Sequence, residues 1–154
     1  MQETIRIMPH HFVDIVRAHF PAKRVPPPGE LGHDVHRVVA RLLDNRDAVL
    51  EIALGSDDIC TPCAYFVGGR CDNVIDTSFR KGAPPLMSNY NLLIDQRWCR
   101  RLGLSEGDQL TARQFCQRLQ DHVGAIASIY PETPATTRAQ WAESLQEGIA
   151  AYLA

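Results

Sequence analysis

The sequence predicts an α+β domain: two short strands with covering helices, a long irregular metal-binding loop, and a helical C-terminal third. Three observations predict it. Residues 4–8 and 48–54 have strand composition. Five other segments repeat apolar residues at helical spacing. Residues 55–87 follow neither period, yet hold three of the five cysteines.

Residues 4–8, TIRIM, alternate in polarity and are rich in β-branched side chains, which reads as a strand. Pro9 then opens a helix, because a missing N–H costs nothing at the first helical position. Phe12, Ile15, Val16 and Phe20 supply its apolar face, and Pro21 stops it. The loop PAKRVPPPGELG is stiffened by three consecutive prolines. Asp34 to Arg46 forms the second helix, with Val35, Val38, Val39, Leu42 and Leu43 on one stripe. Residues 48–54, AVLEIAL, form the second strand. The order strand, helix, helix, strand permits a crossover that pairs the two strands in parallel.

Part 88–154 reads as helical. Ser88 caps a helix to Leu102, and Gly103 closes it. Thr111 and Gln114 make a capping box for a helix carrying Phe115, Leu119, Val123 and Ile126, which Pro131 ends. Thr137 and Gln140 mark a last helix to about Leu153. There is no internal repeat, so residues 1–154 are expected to form a single domain. A chain of 154 residues can bury a core without disulfides or metals.

Composition excludes several classes of function. Apolar residues at 45% and charged residues at 22% are ordinary for a globular chain and argue against disorder. Sixteen basic against eighteen acidic residues leave a net charge of −2, so no basic footprint for nucleic acid is present. No apolar run approaches the roughly 20 residues a membrane span needs. The start, MQETIRIMPHHFVDIV, lacks a basic stretch followed by an apolar one and does not read as a secretory signal. The expected compartment is cytoplasmic, where thiols stay reduced. Five cysteines there are ligands, catalytic thiols or core residues.

Cys60, Cys63 and Cys71 have the spacing C-x2-C-x7-C. Two cysteines separated by two residues can turn both sulfurs toward one metal centre. Gly68 and Gly69, just before Cys71, let the chain bend sharply. Iron–sulfur clusters and zinc both accept such a loop. No fourth cysteine lies near it. Three thiols within twelve residues of a polar, glycine-containing loop are unlike core packing. A thioredoxin-like redox pair wants a helix starting at its cysteines, and here a Gly-Gly break follows instead. Cys99 and Cys116 fall on helical apolar stripes and read as core, with Cys99 the reserve ligand.

His10, His11 and Asp14 crowd the first turn of a helix, at mutual spacings of three and four. A helix N-terminus attracts anions, and a thiolate-bound cluster is anionic. By spacing alone, one histidine can equally hold the strand–helix corner while the other is solvated. His33 and His36 read as decoration of an exposed helix start. Asp57 and Asp58 can fix a turn through bonds to backbone N–H groups.

Pro9-His10-His11, followed by Asp57-Asp58-Ile59-Cys60-x2-Cys63 and Cys71, resembles a small family of unknown function described as iron–sulfur-binding. Its members read P-H-H-L-L-C, then D-D-I-C-x2-C and a further cysteine, and the resemblance covers about residues 4 to 120. The resemblance implies a [4Fe–4S] cluster on Cys60, Cys63 and Cys71. The family's first cysteine falls on Asp14, a harder and weaker ligand for iron. The fourth position then belongs to Asp14, His10 or His11, or stays open to a small-molecule ligand. The expected partners are that ligand or a redox partner, with no nucleic acid and no membrane. The alternative is a structural zinc module with three cysteines and a His or Asp ligand.

Overall fold

The structure, a computed structural model, describes residues 4–154; residues 1–3 of the expected 1–154 domain lie outside them. The elements run β1 (Ile5–Ile7), α1 (Pro9–His19), α2 (Val35–Asp44), β2 (Val49–Ile52), β3 (Phe66–Val67), β4 (Arg70–Cys71), α3 (Met87–Leu102), β5 (Gln109–Thr111), α4 (Ala112–Gln120), α5 (Ile126–Ile129) and α6 (Ala135–Leu153). The class is α+β, with a helical C-terminal third.

β1 and β2 pair in parallel, Ile5 opposite Leu50 and Ile7 opposite Ile52, as the strand–helix–helix–strand order permits. All four side chains are buried. Two strands are too few, however. β5 adds antiparallel to β2, with Val49 opposite Thr111, and makes β2 the centre of a three-stranded sheet. Three residues are too short to show a period, and only Leu110 of β5 is buried. β3 and β4 form a separate hairpin. Its turn is Gly68-Gly69, both at positive φ (61° and 82°), the backbone that two-residue hairpin turns demand.

The segment 55–87 is better anchored than its composition suggests. Ile59, Ile75 and Ala83 are buried in the core cluster. Backbone bonds Ile75 N to Pro85 O (2.8 Å) and Met87 N to Asn73 O (3.0 Å) close its second half. These contacts bring the start of α3 beside the cysteine hairpin.

Three helix boundaries differ from the sequence reading. α3 starts at Met87, with Leu86 at the cap, so Ser88 lies inside the first turn and caps nothing. The helix expected from Thr111 to Pro131 breaks after Gln120 into a 3-10 turn at Val123–Ala125 and then α5. Gly124 is a weak helix former, and the tighter bonds His122 N to Leu119 O and Ala125 N to His122 O replace the α-helical ladder. α6 begins two residues early, because Arg138 N already bonds Pro134 O. The Thr111–Gln114 capping box and the left-handed Gly103 (φ 67°) are as expected. Among the described residues no helix is long and apolar enough to cross a membrane.

α1 packs on both α3 and α6. Phe12 meets Phe115 (centroids 4.5 Å apart) and Phe20 meets Tyr152 (4.4 Å). The α1–α6 crossing is close because α6 has Gly148 at the contact: a Cβ there would run into the Val16 carbonyl. In an exposed helix, alanine for glycine would stabilise by about 1 kcal/mol. Here overpacking reverses the sign. Gly148→Ala is expected to lower the urea midpoint, by a loss of about 1–3 kcal/mol. An unchanged or raised midpoint would show that the helices are not in backbone contact.

Candidate metal centre

α1 begins without a side-chain cap of its own. Two carboxylates from distant segments serve instead. Asp95, wholly buried on α3, accepts from the His10 backbone N–H (2.8 Å) and from His10 Nδ1 (2.9 Å). Asp57, also buried, accepts from the Met8 N–H and from His11 Nδ1, both at 2.7 Å through Oδ2. Its Oδ1 accepts from the N–H groups of Ile59 (3.0 Å) and Cys60 (3.1 Å). A helix start welcomes negative charge, so both acids sit where the backbone dipole favours them.

These bonds orient the imidazoles. An ionised carboxylate only accepts, so Nδ1 of each ring carries the hydrogen. On a neutral ring that leaves Nε2 as the free lone pair. Histidines that bind metals are commonly held this way, one nitrogen on a carboxylate and the other on the ion. The two rings lie side by side, centroids 4.3 Å apart. Asp58 closes the same corner by accepting from Arg6 N–H (2.9 Å). The expected turn-fixing role holds for Asp57, which also reaches much further, while the Asp58 side chain bonds β1 instead of its own turn.

The electrostatics follow from burial. Burial opposes charge on His10, yet the adjacent Asp95 outweighs it by charge and hydrogen bond and carries the pKa up to about 9. Burial works against ionised Asp57 too, but His11 and the Met8 N–H hold its carboxyl below the usual range. The Cys60 thiol is pushed up well beyond its ordinary value by burial and then by the Asp57 charge. A bound cation would reverse this, since a coordinating thiol loses its proton outright.

One cavity of about 390 Å³ is lined by Cys60, Cys63 and Cys71 together with His10, His11 and Asp14. The three cysteines and the α1 start, separated by some fifty residues in sequence, thus line one cavity. The cysteine loop is compact: Cys63 N–H donates to Cys60 O (2.8 Å) and Phe66 N–H to Cys63 O (2.9 Å). Cys99 is not brought to this place. It lies buried in the apolar core, its thiol pushed up to about 11, first by burial and then by Asp95. Cys116 is core as expected. Asp14 lines the cavity, but its Oδ1 already takes Arg17 Nε at 3.1 Å. Arg17 in turn stacks on Trp141, 4.7 Å from the ring centroid. His33 also lines the cavity, with a buried Nδ1 that has no partner among the described residues.

Among the described residues, one set of three donor groups has ligand atoms mutually within 4.8 Å: His11, Asp57 and Cys60. That set could hold a metal ion. Asp57 already accepts four hydrogen bonds, so its role is to orient His11 and Cys60.

No family model, curated protein or solved structure matches this chain. The site's chemistry rests on its own side chains. Of these, sequence reasoning missed Asp95, Arg80 and the aromatic wall of Tyr90, Tyr130 and Trp141. Asp95 did leave a signal. It stands on the buried stripe Asn91, Ile94, Trp98 of α3, where a carboxylate needs a partner.

Asp57→Asn replaces one acceptor with a donor against four N–H groups. It is expected to cost about 2–4 kcal/mol in urea unfolding, since bonds to a charged acceptor are worth more than neutral ones. A loss below 1 kcal/mol would contradict a central role for this carboxylate.

The pH dependence has a definite sign. The raised His10 value stabilises the metal-free fold below the ordinary pKa of 6.5, and this is lost as pH rises through about 9. The depressed Asp57 value stabilises above the ordinary carboxyl pKa and is lost as pH falls below it. Metal-free protein should therefore lose stability from pH 6.5 to 9, and Asp95→Asn should abolish that slope. An equal slope in parent and variant would assign it to other groups.

Proposed function

We propose that this protein binds an iron–sulfur cluster, of the [4Fe–4S] type, in the cavity between α1 and the cysteine loop. Cys60, Cys63 and Cys71 would hold it, with His11 or Asp14 at the fourth position. The observation that carries this reading is that all three loop cysteines and the carboxylate-backed histidines line one cavity.

The donor set fits such a group. Three soft sulfurs suit iron, and the imidazole held by Asp57 is a competent fourth ligand. Closed tetrahedral zinc on three cysteines puts sulfurs about 3.8 Å apart, from a Zn–S bond of about 2.3 Å. The three sulfurs do not form a set within 4.8 Å of one another among the described residues. The resemblance in P-H-H and D-D-I-C-x2-C supports the same assignment. A zinc ion on Cys60 and His11 is the second reading, favoured by the closeness of those two.

When bound, the cluster would supply one-electron chemistry or, at a weakly held iron, Lewis acidity. The chain's own part is clearer. Asp57 fixes the tautomer of His11 and donor groups of the loop. His10, backed by Asp95, places a proton-bearing ring beside the cysteines. Arg17 neutralises Asp14 and leaves it a poorer ligand than His11.

Anaerobic purification is expected to give a brown protein containing iron and sulfide, with visible absorption that bleaches on reduction. Cys63→Ser should lose most of that iron and open residues 55–87 to proteolysis, because ligand binding energy helps to fold the loop. His11→Ala should make the iron labile, and Asp14→Ala less so. Stoichiometric zinc without iron would overturn the cluster in favour of the second reading.

A further inference from the structure

Two arginines line the cavity, and they differ in one respect. Arg17 is neutralised by Asp14 and covered by Trp141. Among the described residues no carboxylate makes an ion pair with Arg80. Its guanidinium lies 5.4 Å from the Phe79 ring centroid and 6.0 Å from that of Tyr90. Two acids of the surrounding segments are engaged elsewhere, although exposed Asp76 also feels the charge of Arg80. Asp76 Oδ1 accepts from Ser78 N–H (3.0 Å) and Ser78 Oγ, which fixes the turn that carries Arg80. Glu132 is held by both terminal nitrogens of Arg97, at 2.7 and 2.9 Å.

Three aromatic side chains line the same cavity. Tyr130 and Trp141 meet edge to face with centroids 5.2 Å apart, and Tyr90 closes the side next to Arg80. A volume of about 390 Å³ is within the range of small-molecule sites, which are apolar clefts with a few placed polar groups. Arg80 is only partly buried, and a ligand anion would give it the close ion pair that no carboxylate makes among the described residues. Arginine's planar fork matches a carboxylate. A hydrated phosphate, by contrast, would gain nothing from the aromatic wall.

We propose that the cavity binds a small organic carboxylate with a flat apolar body, its carboxylate on Arg80 and its body against Tyr90, Tyr130 and Trp141. This rests on the reading of the cavity as the functional site, and it names the class of small molecule that would share it with the metal centre. The cation selects the acid, and the aromatic wall selects an aryl or unsaturated body over a sugar or a simple phosphate.

The test is titration calorimetry of the anaerobically purified protein with phenylacetate and with inorganic phosphate, with iron measured on the same sample. Phenylacetate is expected to bind saturably and phosphate more weakly. Arg80→Gln should weaken phenylacetate by about tenfold or more, the value of a charge-assisted bond. Arg80→Lys should fall between, keeping the charge and losing the fork. If Arg80→Gln fails to fold, the lysine variant carries the comparison. Equal affinity in parent and variants, phosphate binding as tight as phenylacetate, or no saturable binding would each overturn the proposal. Iron present without phenylacetate binding removes the ligand class and leaves the metal centre. Phenylacetate binding without iron removes the metal centre and leaves the ligand class.

Discussion

A single buried carboxylate ties this molecule together. Asp57 takes the N–H groups of Met8, Ile59 and Cys60 and the imidazole of His11. The first of these lies at the β1–α1 junction, the next two in the cysteine loop, and the last on α1. Without that acceptor, the buried N–H groups of Met8 and Ile59 would be left unbonded away from water, at a cost of about 1–3 kcal/mol each, and the part-buried His11 ring would lose its anchor. The loop therefore lies against the helix start because its own backbone is bonded to the same two oxygens. Asp95 repeats the arrangement from α3 on His10. Between them, two acids replace the missing local cap of α1 and aim two histidines at the cysteines.

That arrangement also sets the charge that a metal ion would meet here. Asp57 and burial both raise the Cys60 thiol, so the metal-free loop keeps its proton. A metal ion would reverse the balance locally, since it would supply positive charge beside Asp57 and the thiolates. Asp14 contributes less than its position suggests. Its pairing with Arg17, which is itself held on Trp141, commits one carboxylate oxygen before any metal arrives. In the proposed centre His11 is therefore the better candidate than Asp14 for a fourth ligand, since its Nδ1 is already engaged by Asp57.

The parts of the fold that follow local rules were legible in the sequence. Pro9 at a helix start, the Thr111–Gln114 box and Gly103 at a helix end each act through neighbours within four residues. The parallel β1–β2 pair followed from element order alone. What escaped was non-local. β5 is three residues that become a strand only because β2 offers an open edge. Gly148 is unremarked in a helical pattern, and its meaning appears only when Val16 lies against it. In the site, the C-x2-C-x7-C loop and the Pro-His-His start were both visible. Their meeting was suggested by resemblance rather than by spacing. The acid that holds His10 is 85 positions away, on another helix. Cys99 was kept in reserve by its type, and packing in the core removes it.

Buried carboxylates hold Nδ1 of both histidines, which leaves Nε2 of a neutral His11 ring as the nitrogen open to a metal. Nitrogen-15 NMR of the imidazoles in metal-free protein, followed through addition of Zn²⁺ as a diamagnetic probe, tests it directly. The account predicts that neutral His11 carries its hydrogen on Nδ1, and that only its Nε2 resonance shifts strongly when the ion binds. A hydrogen on Nε2, or a His11 ring that does not respond to the ion, would contradict it.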